Sequence, residues 1–328
     1  MLKELFDKNK NIVINTDIDG VLSGLLLVKY YNCKIVGFTN SKDKVWLSED
    51  ADDLYGNVYI DMFVTDSNAI CIDQHVVAVD QNHMDTIIRQ KNKYSPQSED
   101  PQNNRCFTTE GFKNKYPFGT FQFIIAQMEK EGISVSLPNL EDIVPDSEIK
   151  YGDLLNRPDD AMKTTLFAYK RNAEFWWKWL ESKAPKGCIS KLKSYLDSIA
   201  NSSKNEKELE QIVDEIKKKT KNYFGKNFNC KTSDGGFKDI TDSDNVILKN
   251  IEDYINAIGT ILGLKNINLP RKYNAHIGTY CRTRWLDIFK PDFVNNYEVC
   301  GHKVFSYAFI YGPDNDSQTN FSFTIDMK

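Results

Sequence analysis

The chain lacks several features that would assign it to a class at once. None of its seven cysteines (Cys33, Cys71, Cys106, Cys188, Cys230, Cys281, Cys300) forms a C-x-x-C pair. So scattered and odd a set does not fit a zinc knuckle, a dithiol redox motif or a disulfide framework, and fits reduced thiols of the cytoplasm. No apolar run approaches the roughly 18 residues that span a bilayer, and the opening MLKELFDKNKNIV has no basic region followed by an apolar core. The expectations are a cytoplasmic location and no membrane partner. Positive charge is not in excess either. With 42 Lys plus Arg against 46 Asp plus Glu the net charge is -4, so no global field gathers polyanions and long duplex DNA is not an expected partner. No internal repeat or low-complexity tract stands out.

What remains is ordinary for a folded protein. At 328 residues, 41% hydrophobic and 27% charged, the chain can bury a sizeable core or build two domains. Residues 11–16 (NIVINT) read as a strand, 17–20 (DIDG) as a turn and 21–31 (VLSGLLLVKYY) as a helix burying Leu22, Leu25, Leu26 and Val28. Further strands are expected near 33–38, 57–61, 68–73 and 76–79, and a polar loop over 91–115. Residues 117–132 suit a helix with a Pro-led start, Gly132 as its stop, and Phe121, Ile124, Ile125 and Met128 on its buried face. From 160 to 222 the pattern is helical and increasingly charged, with the Lys217-Lys218-Lys219 run on a solvated face. Residues 223–245, containing Asp234-Gly235-Gly236, suit a turn or boundary, and 246–264 another helix. VFSYAFIYG and TNFSFTIDMK, separated by PDNDSQ, read as a hairpin. The expected fold is α/β, a parallel sheet flanked by helices over 1–160, a helical linker over 161–225, and a smaller α+β domain over 226–328.

Carboxylates recur where these strands end. Asp17 and Asp19 stand two residues apart at a strand-to-turn junction, followed by Gly20 and by Ser23 in the first helical turn, where a hydroxyl can cap amides or meet phosphate. Asp17 alone reads equally as a turn former and helix cap. Asp61 ends NVYI, Asp73 ends AICI, and His75 follows two residues later. Several strands ending in Asp, one beside a histidine, suit oxygen-rich coordination of a hard divalent ion at the carboxyl edge of a parallel sheet.

These residues resemble the DHH phosphoesterase superfamily. Its first motif, an apolar strand followed by D-x-D-G and a small residue, is matched by Asn15-Thr16-Asp17-Ile18-Asp19-Gly20-Val21-Leu22-Ser23; its second by Asp61; and its naming motif by Asp73-Gln74-His75. Phe118-Gly119-Thr120-Phe121 stands where a helix opened by small residues follows, and Asp153 in IKYGDLLN is the candidate for a fourth motif. The likeness covers roughly residues 10–160. Two positions depart from it: Asn15 and Gln74 stand where many members carry histidine. Asp80-Gln81-Asn82-His83 offers a second register for the naming motif, in which Asn82 would take the histidine position.

The resemblance implies metal-assisted hydrolysis of a phosphoester, on a nucleotide or a short single-stranded oligonucleotide. Asp17, Asp19, Asp61 and Asp153 would hold one or two Mn2+ or Mg2+ ions; Asp73 would orient or join them, and His75 would contact the phosphoryl oxygens or protonate the leaving group. Asn15, Ser23, Arg282, Arg284 and His302 are candidate substrate contacts, with His276 as a further one, because guanidinium pairs bidentately with phosphate. Trp176, Trp177 and Trp179 could stack on bases, but their helical spacing suits core packing better. Two alternatives stay open. A haloacid-dehalogenase-like phosphatase would use Asp17 as nucleophile, Asp19 as general acid, and Lys150 with Asp159 and Asp160. A catalytically degenerate descendant would bind a nucleotide or partner without cleaving it. A homo-oligomer is compatible with either.

Overall fold

A computed structural model of the chain describes residues 1–51, 53–76, 78, 80–99, 115–168, 170–230, 235–288, 293, 296–310 and 319–328. Its strands are β1 (Asn11–Asn15), β2 (Lys34–Thr39), β3 (Lys44–Leu47), β4 (Val58–Ile60), β5 (Ile70–Ile72), β6 (Lys93–Tyr94), β7 (Asn274–Ile277), β8 (Thr279–Thr283), β9 (Glu298–Val299), β10 (His302–Phe309) and β11 (Phe321–Ile325). Its helices are α1 (Leu2–Lys8), α2 (Ile18–Tyr31), α3 (Gln81–Arg89), α4 (Pro96–Glu99), α5 (Thr120–Lys130), α6 (Tyr151–Leu155), α7 (Ala161–Lys163), α8 (Lys170–Lys183), α9 (Cys188–Ser202), α10 (Glu206–Phe228), α11 (Lys249–Ile261) and α12 (Trp285–Ile288). They group into two compact units that interleave along the sequence: Met1–Lys10, Thr16–Lys34 and Pro117–Leu269 form a helical unit, and Asn11–Asn15, Ile35–Tyr116 and Pro270–Lys328 form a sheet unit.

The sheet unit carries two sheets. A seven-stranded one runs β6-β5-β4-β1-β2-β3-β7, and a four-stranded one runs β8-β11-β10-β9. The expected α/β class is present, with a mixed, mostly parallel main sheet. β1, β4, β5 and β6 pair in parallel, whereas β2 pairs antiparallel with β3, and β3 with β7. β3 falls inside a stretch too polar to read as a strand. Asn40 makes it: its side-chain oxygen accepts the amides of Lys42, Asp43 and Lys44, closing a turn that folds KVWL back along β2.

The expected loop over 91–115 also contains structure where it is described, namely β6 and α4, while 100–114 lie outside the described residues. Lys93 masks β6 in the sequence because a lysine reads as solvent-facing. Here it is buried, with Nζ donating to the carbonyls of Asp66 and Ala69. Of the expected strand at 76–79, Val77 and Val79 lie outside the described residues; Val76 and Ala78 are buried.

In the hairpin, β10 and β11 pair antiparallel with Tyr307 opposite Phe323 and Phe309 opposite Phe321. These aromatics point to one side and join Phe63, Phe293 and Tyr297 in a buried cluster. Burying side chains of this size contributes about 1.5–3 kcal/mol each.

In the helical unit, α2 starts one turn earlier than expected. Asp17 caps it by accepting the Gly20 amide at 3.0 Å, and Asn32 ends it in the left-handed region. α5 buries Phe121, Ile124, Ile125 and Met128 as expected, but it is buried on all sides from Thr120 to Glu129 rather than on one face, and Trp176 and Trp177 of α8 are fully buried. α10 runs six residues past 222 to a left-handed Asn229, so the expected boundary over 223–245 begins later; Asp234 lies outside the described residues. Among the described residues no helix is long and apolar enough to cross a membrane, and the cysteines are free.

Candidate metal centre

β4 and β5 are parallel neighbours with Ile60 opposite Ile72, so the residues that follow them, Asp61 and Asp73, leave the sheet side by side at its carboxyl edge. β1 lies on the other side of β4 with Ile14 opposite Ile60, which brings its last residue, Asn15, beside Asp61. Asp61 bends off the strand in the left-handed region at φ 60°, a conformation Asp adopts more readily than β-branched or bulky residues, and its amide donates to Ile72 at 2.9 Å.

The carboxylates are held in different ways. Asn15 Nδ2 lies 3.0 Å from Asp61 Oδ2, and an amide facing a carboxylate must present its N–H. Asp73 Oδ1 receives the His75 backbone amide at 3.0 Å and faces His75 Nδ1 at 2.9 Å. Asp73 Oδ2 is buried and has no hydrogen-bond partner. An unpartnered buried carboxylate oxygen is costly, which makes it a place where a cation would be welcome.

His75 Nδ1 also lies 3.8 Å from Asp61 Oδ1, and Asp61, Asp73 and His75 each offer one ligand atom within 4.8 Å of the others. Among the described residues this is the group of three or more His, Cys, Asp or Glu that converges in this way. Two buried carboxylates and an imidazole form a mixed oxygen and nitrogen set that suits Mn2+ or Zn2+, and Mg2+ with added waters.

Gln74 Nε2 approaches His75 Nε2 at 2.5 Å. With the amide donating there, the ring proton sits on Nδ1 and points at Asp73. A cation held at Nδ1 would require that proton on Nε2 instead, where a glutamine could accept it by turning its carbonyl toward the ring. Burial first, then Tyr297 and Asp73, push up the hydroxyl of Tyr307.

The first-motif carboxylates belong to the helical unit and are engaged there by backbone. Asp17 Oδ1 caps α2. Asp19 Oδ2 accepts the Thr120 amide at 2.7 Å and Asp19 Oδ1 the Phe121 amide at 2.9 Å. Asp19 thereby caps α5, whose own N-cap, Gly119, has no side chain to do so. A methyl at Gly119 would come within 2.6 Å of Asp19 Oδ1, so only glycine admits this approach. Ser23 Oγ donates toward Asp19 Oδ1 at 3.5 Å and is fully buried. Burial first, then Asp159 and Asp17, raise the Asp19 carboxyl well above its ordinary 3.8.

Asp159 has a role only in the dehalogenase alternative, yet after burial it is the largest influence raising the Asp19 carboxyl. Its left-handed backbone (φ 46°), directly after Pro158, is the local signature that sequence reading passed over. Asp153 accepts the Tyr195 hydroxyl at 2.8 Å and the Lys150 amide at 3.3 Å at the start of α6, and burial raises its carboxyl. Lys150 pairs its ammonium with Glu141 at 2.7 Å on the surface.

Of the remaining candidates, Arg282, Arg284 and His302 are exposed and His276 is half-buried. Arg282 donates to the Thr319 carbonyl at 3.4 Å, Arg284 binds Asp287 through two nitrogens at 3.1 and 2.9 Å, and His302 faces Asp326 at 2.8 Å. His276 lies on the edge strand β7, opposite Val45. In the second register of the naming motif, Asp80 caps α3 by accepting the His83 amide at 2.8 Å. His83, which reads as a loop histidine, is instead fully buried beside Tyr297 at 3.1 Å. Burial pushes its ring down to about 4, with Asp80 opposing.

Comparison with known proteins gives no match: neither a family model, nor a curated protein, nor a solved structure matches this chain.

Proposed function

We propose that the chain is a divalent-metal-dependent phosphoesterase acting on a nucleotide or a short single-stranded oligonucleotide, with Asp61, Asp73 and His75 as its metal ligands. The observation that carries this reading is the convergence of the three side chains, one of which, Asp73, keeps its second carboxylate oxygen buried without a hydrogen-bond partner. A divalent ion bound there supplies Lewis-acid polarisation of a phosphoryl oxygen and acidifies a water. Asp61 and Asp73 provide negative charge, and Asn15 fixes the rotamer of Asp61. His75, with its side chain 40% exposed while the two acids are buried, is the ligand nearest to an incoming substrate. The net charge of -4 favours a small anionic substrate, bound locally, over a long duplex.

The test is Mn2+-dependent hydrolysis of mononucleotides, linear and cyclic dinucleotides and short single strands by wild type and Asp61→Ala. Wild type should turn over at least one of them. Asp61→Ala, with an unchanged circular dichroism spectrum, should lose activity by about 10²-fold or more. A fully active Asp61→Ala would sink the reading and favour the aspartyl-nucleophile alternative, whose Asp17 would then be indispensable.

One observation favours a binding-only descendant. The amides at positions 15 and 74 face existing polar groups, as hydrogen-bonding side chains do, where histidines would add metal ligands. Mn2+-dependent nucleotide binding without turnover would select that reading.

A further inference from the structure

We infer that the centre in the sheet unit takes a single ion, and that Asn15 and Gln74 orient its ligands. The inference rests on the metal reading above and goes beyond it, because the resemblance leaves one or two ions open, with Asn15 and Gln74 able to serve a second ion only as weak carbonyl ligands.

Three observations carry it. The three side chains that converge, Asp61, Asp73 and His75, supply ligand atoms for one ion, and among the described residues no other such group converges. Asn15 turns its N–H, which cannot coordinate a cation, toward Asp61 Oδ2 at 3.0 Å. Gln74 turns its amide nitrogen to the far ring nitrogen of His75 at 2.5 Å, while Nδ1 faces Asp73 at 2.9 Å and Asp61 at 3.8 Å. Each amide therefore grips one ligand from behind. Both are buried, which limits the rotamers open to them. This is the arrangement by which outer residues set the rotamer and ring orientation of a ligand. Gln74 suits the task for a further reason: an amide can donate to His75 or accept from it by turning over, so it keeps its grip whichever ring nitrogen carries the proton.

The test uses the full chain and Mn2+ alone, read by isothermal titration calorimetry and by electron paramagnetic resonance. Wild type should bind one ion per chain, with the hyperfine pattern of an isolated Mn2+. Asn15→Ala and Gln74→Ala should each still bind one ion, about 10–100-fold more weakly. Gln74→Ala is the safer of the two for folding, since Gln74 follows β5 while Asn15 lies in β1. Two magnetically coupled ions in wild type, falling to one in either variant, would make the amides ligands of a second ion and overturn the inference while leaving the metal reading standing. Undiminished affinity in both variants would also overturn it. No binding by wild type would remove the metal reading itself.

Discussion

The carboxylates of the sheet unit and those of the helical unit answer the same sequence pattern with different chemistry. Asp61 and Asp73 follow β4 and β5 into a cluster where one carboxylate oxygen is buried without a partner. Asp17 and Asp19 follow β1 in sequence, yet their oxygens accept amides at the starts of α2 and α5. A strand-end aspartate is therefore ambiguous until its hydrogen bonds are known. An aspartate that completes a helix terminus contributes to folding, whereas one that keeps a buried oxygen unsatisfied bears an energetic cost that the fold itself does not repay.

Four measurements would break or sharpen this contrast, beginning with the largest expected effect. The first extends it to the histidines. His83 is buried with its ring pushed down from 6.5 to about 4, so the unfolded chain takes up that proton first as pH falls. Its contribution to stability is full above pH 6.5 and is lost as pH drops through the window toward about 4, amounting to about 3 kcal/mol. Urea unfolding across that window should show His83→Gln losing about that much less than wild type, while its Mn2+ binding stays intact. Parallel loss in the two proteins would show that His83 titrates as an exposed group.

Next in size is the response to metal. At a hundredfold excess of Mn2+ over its dissociation constant, wild type should gain about 2.7 kcal/mol against urea. Asp73→Asn should gain far less, because on the proposed reading it lacks a charged ligand oxygen. An equal gain in both would move the ion away from Asp73.

Asp19 should show the opposite dependence. Asp19→Ala strands two buried amides and should cost about 2 kcal/mol whether or not metal is present. Its pH signature also has a defined sign. The Asp19 carboxyl is raised above 3.8 in the fold, so protonation favours the folded chain, and the contribution declines as pH rises from 3.8 through the raised value. Asp19→Asn, which exchanges no proton, should lack that slope in urea unfolding followed upward from below pH 3.8. If Mn2+ instead erases the cost of Asp19→Ala, the division of labour between the two groups of aspartates fails.

The smallest effect separates backbone from side chain at position 61. Asp61→Gly and Asp61→Ala should both abolish metal-induced stabilisation, but in the absence of metal the glycine variant should be the more stable by about 1 kcal/mol, since it relaxes the left-handed φ. Equal midpoints in urea would show that the turn adapts to the side chain.

Much of this frame is readable along the chain because it depends on local pattern. The apolar runs of β1, β4 and β5, the buried Phe121, Ile124, Ile125 and Met128 of α5 and the alternation in β10 and β11 follow from the periods of strand and helix. What escaped depends on contacts remote in sequence or on a single polar atom. β3 depends on the Asn40 side chain, β6 on burial of Lys93, and the role of Asp19 on a helix that starts a hundred residues later. Asp61, Asp73 and His75 could be named from strand ends. That Asp73 Oδ2 stays unpartnered, and that Asn15 presents its N–H rather than its carbonyl, could not, because those depend on the pairing of β1, β4 and β5.

The left-handed backbone of Asp61 has a consequence for anyone who would improve this protein. Its dihedral angles favour glycine or asparagine, so a redesign guided by folding stability alone would replace Asp61 early. Such a variant would keep the turn while lacking the carboxylate that Asn15 and His75 face. At this position, resistance to an apparently favourable substitution would itself be a sign that selection has acted on chemistry rather than on architecture.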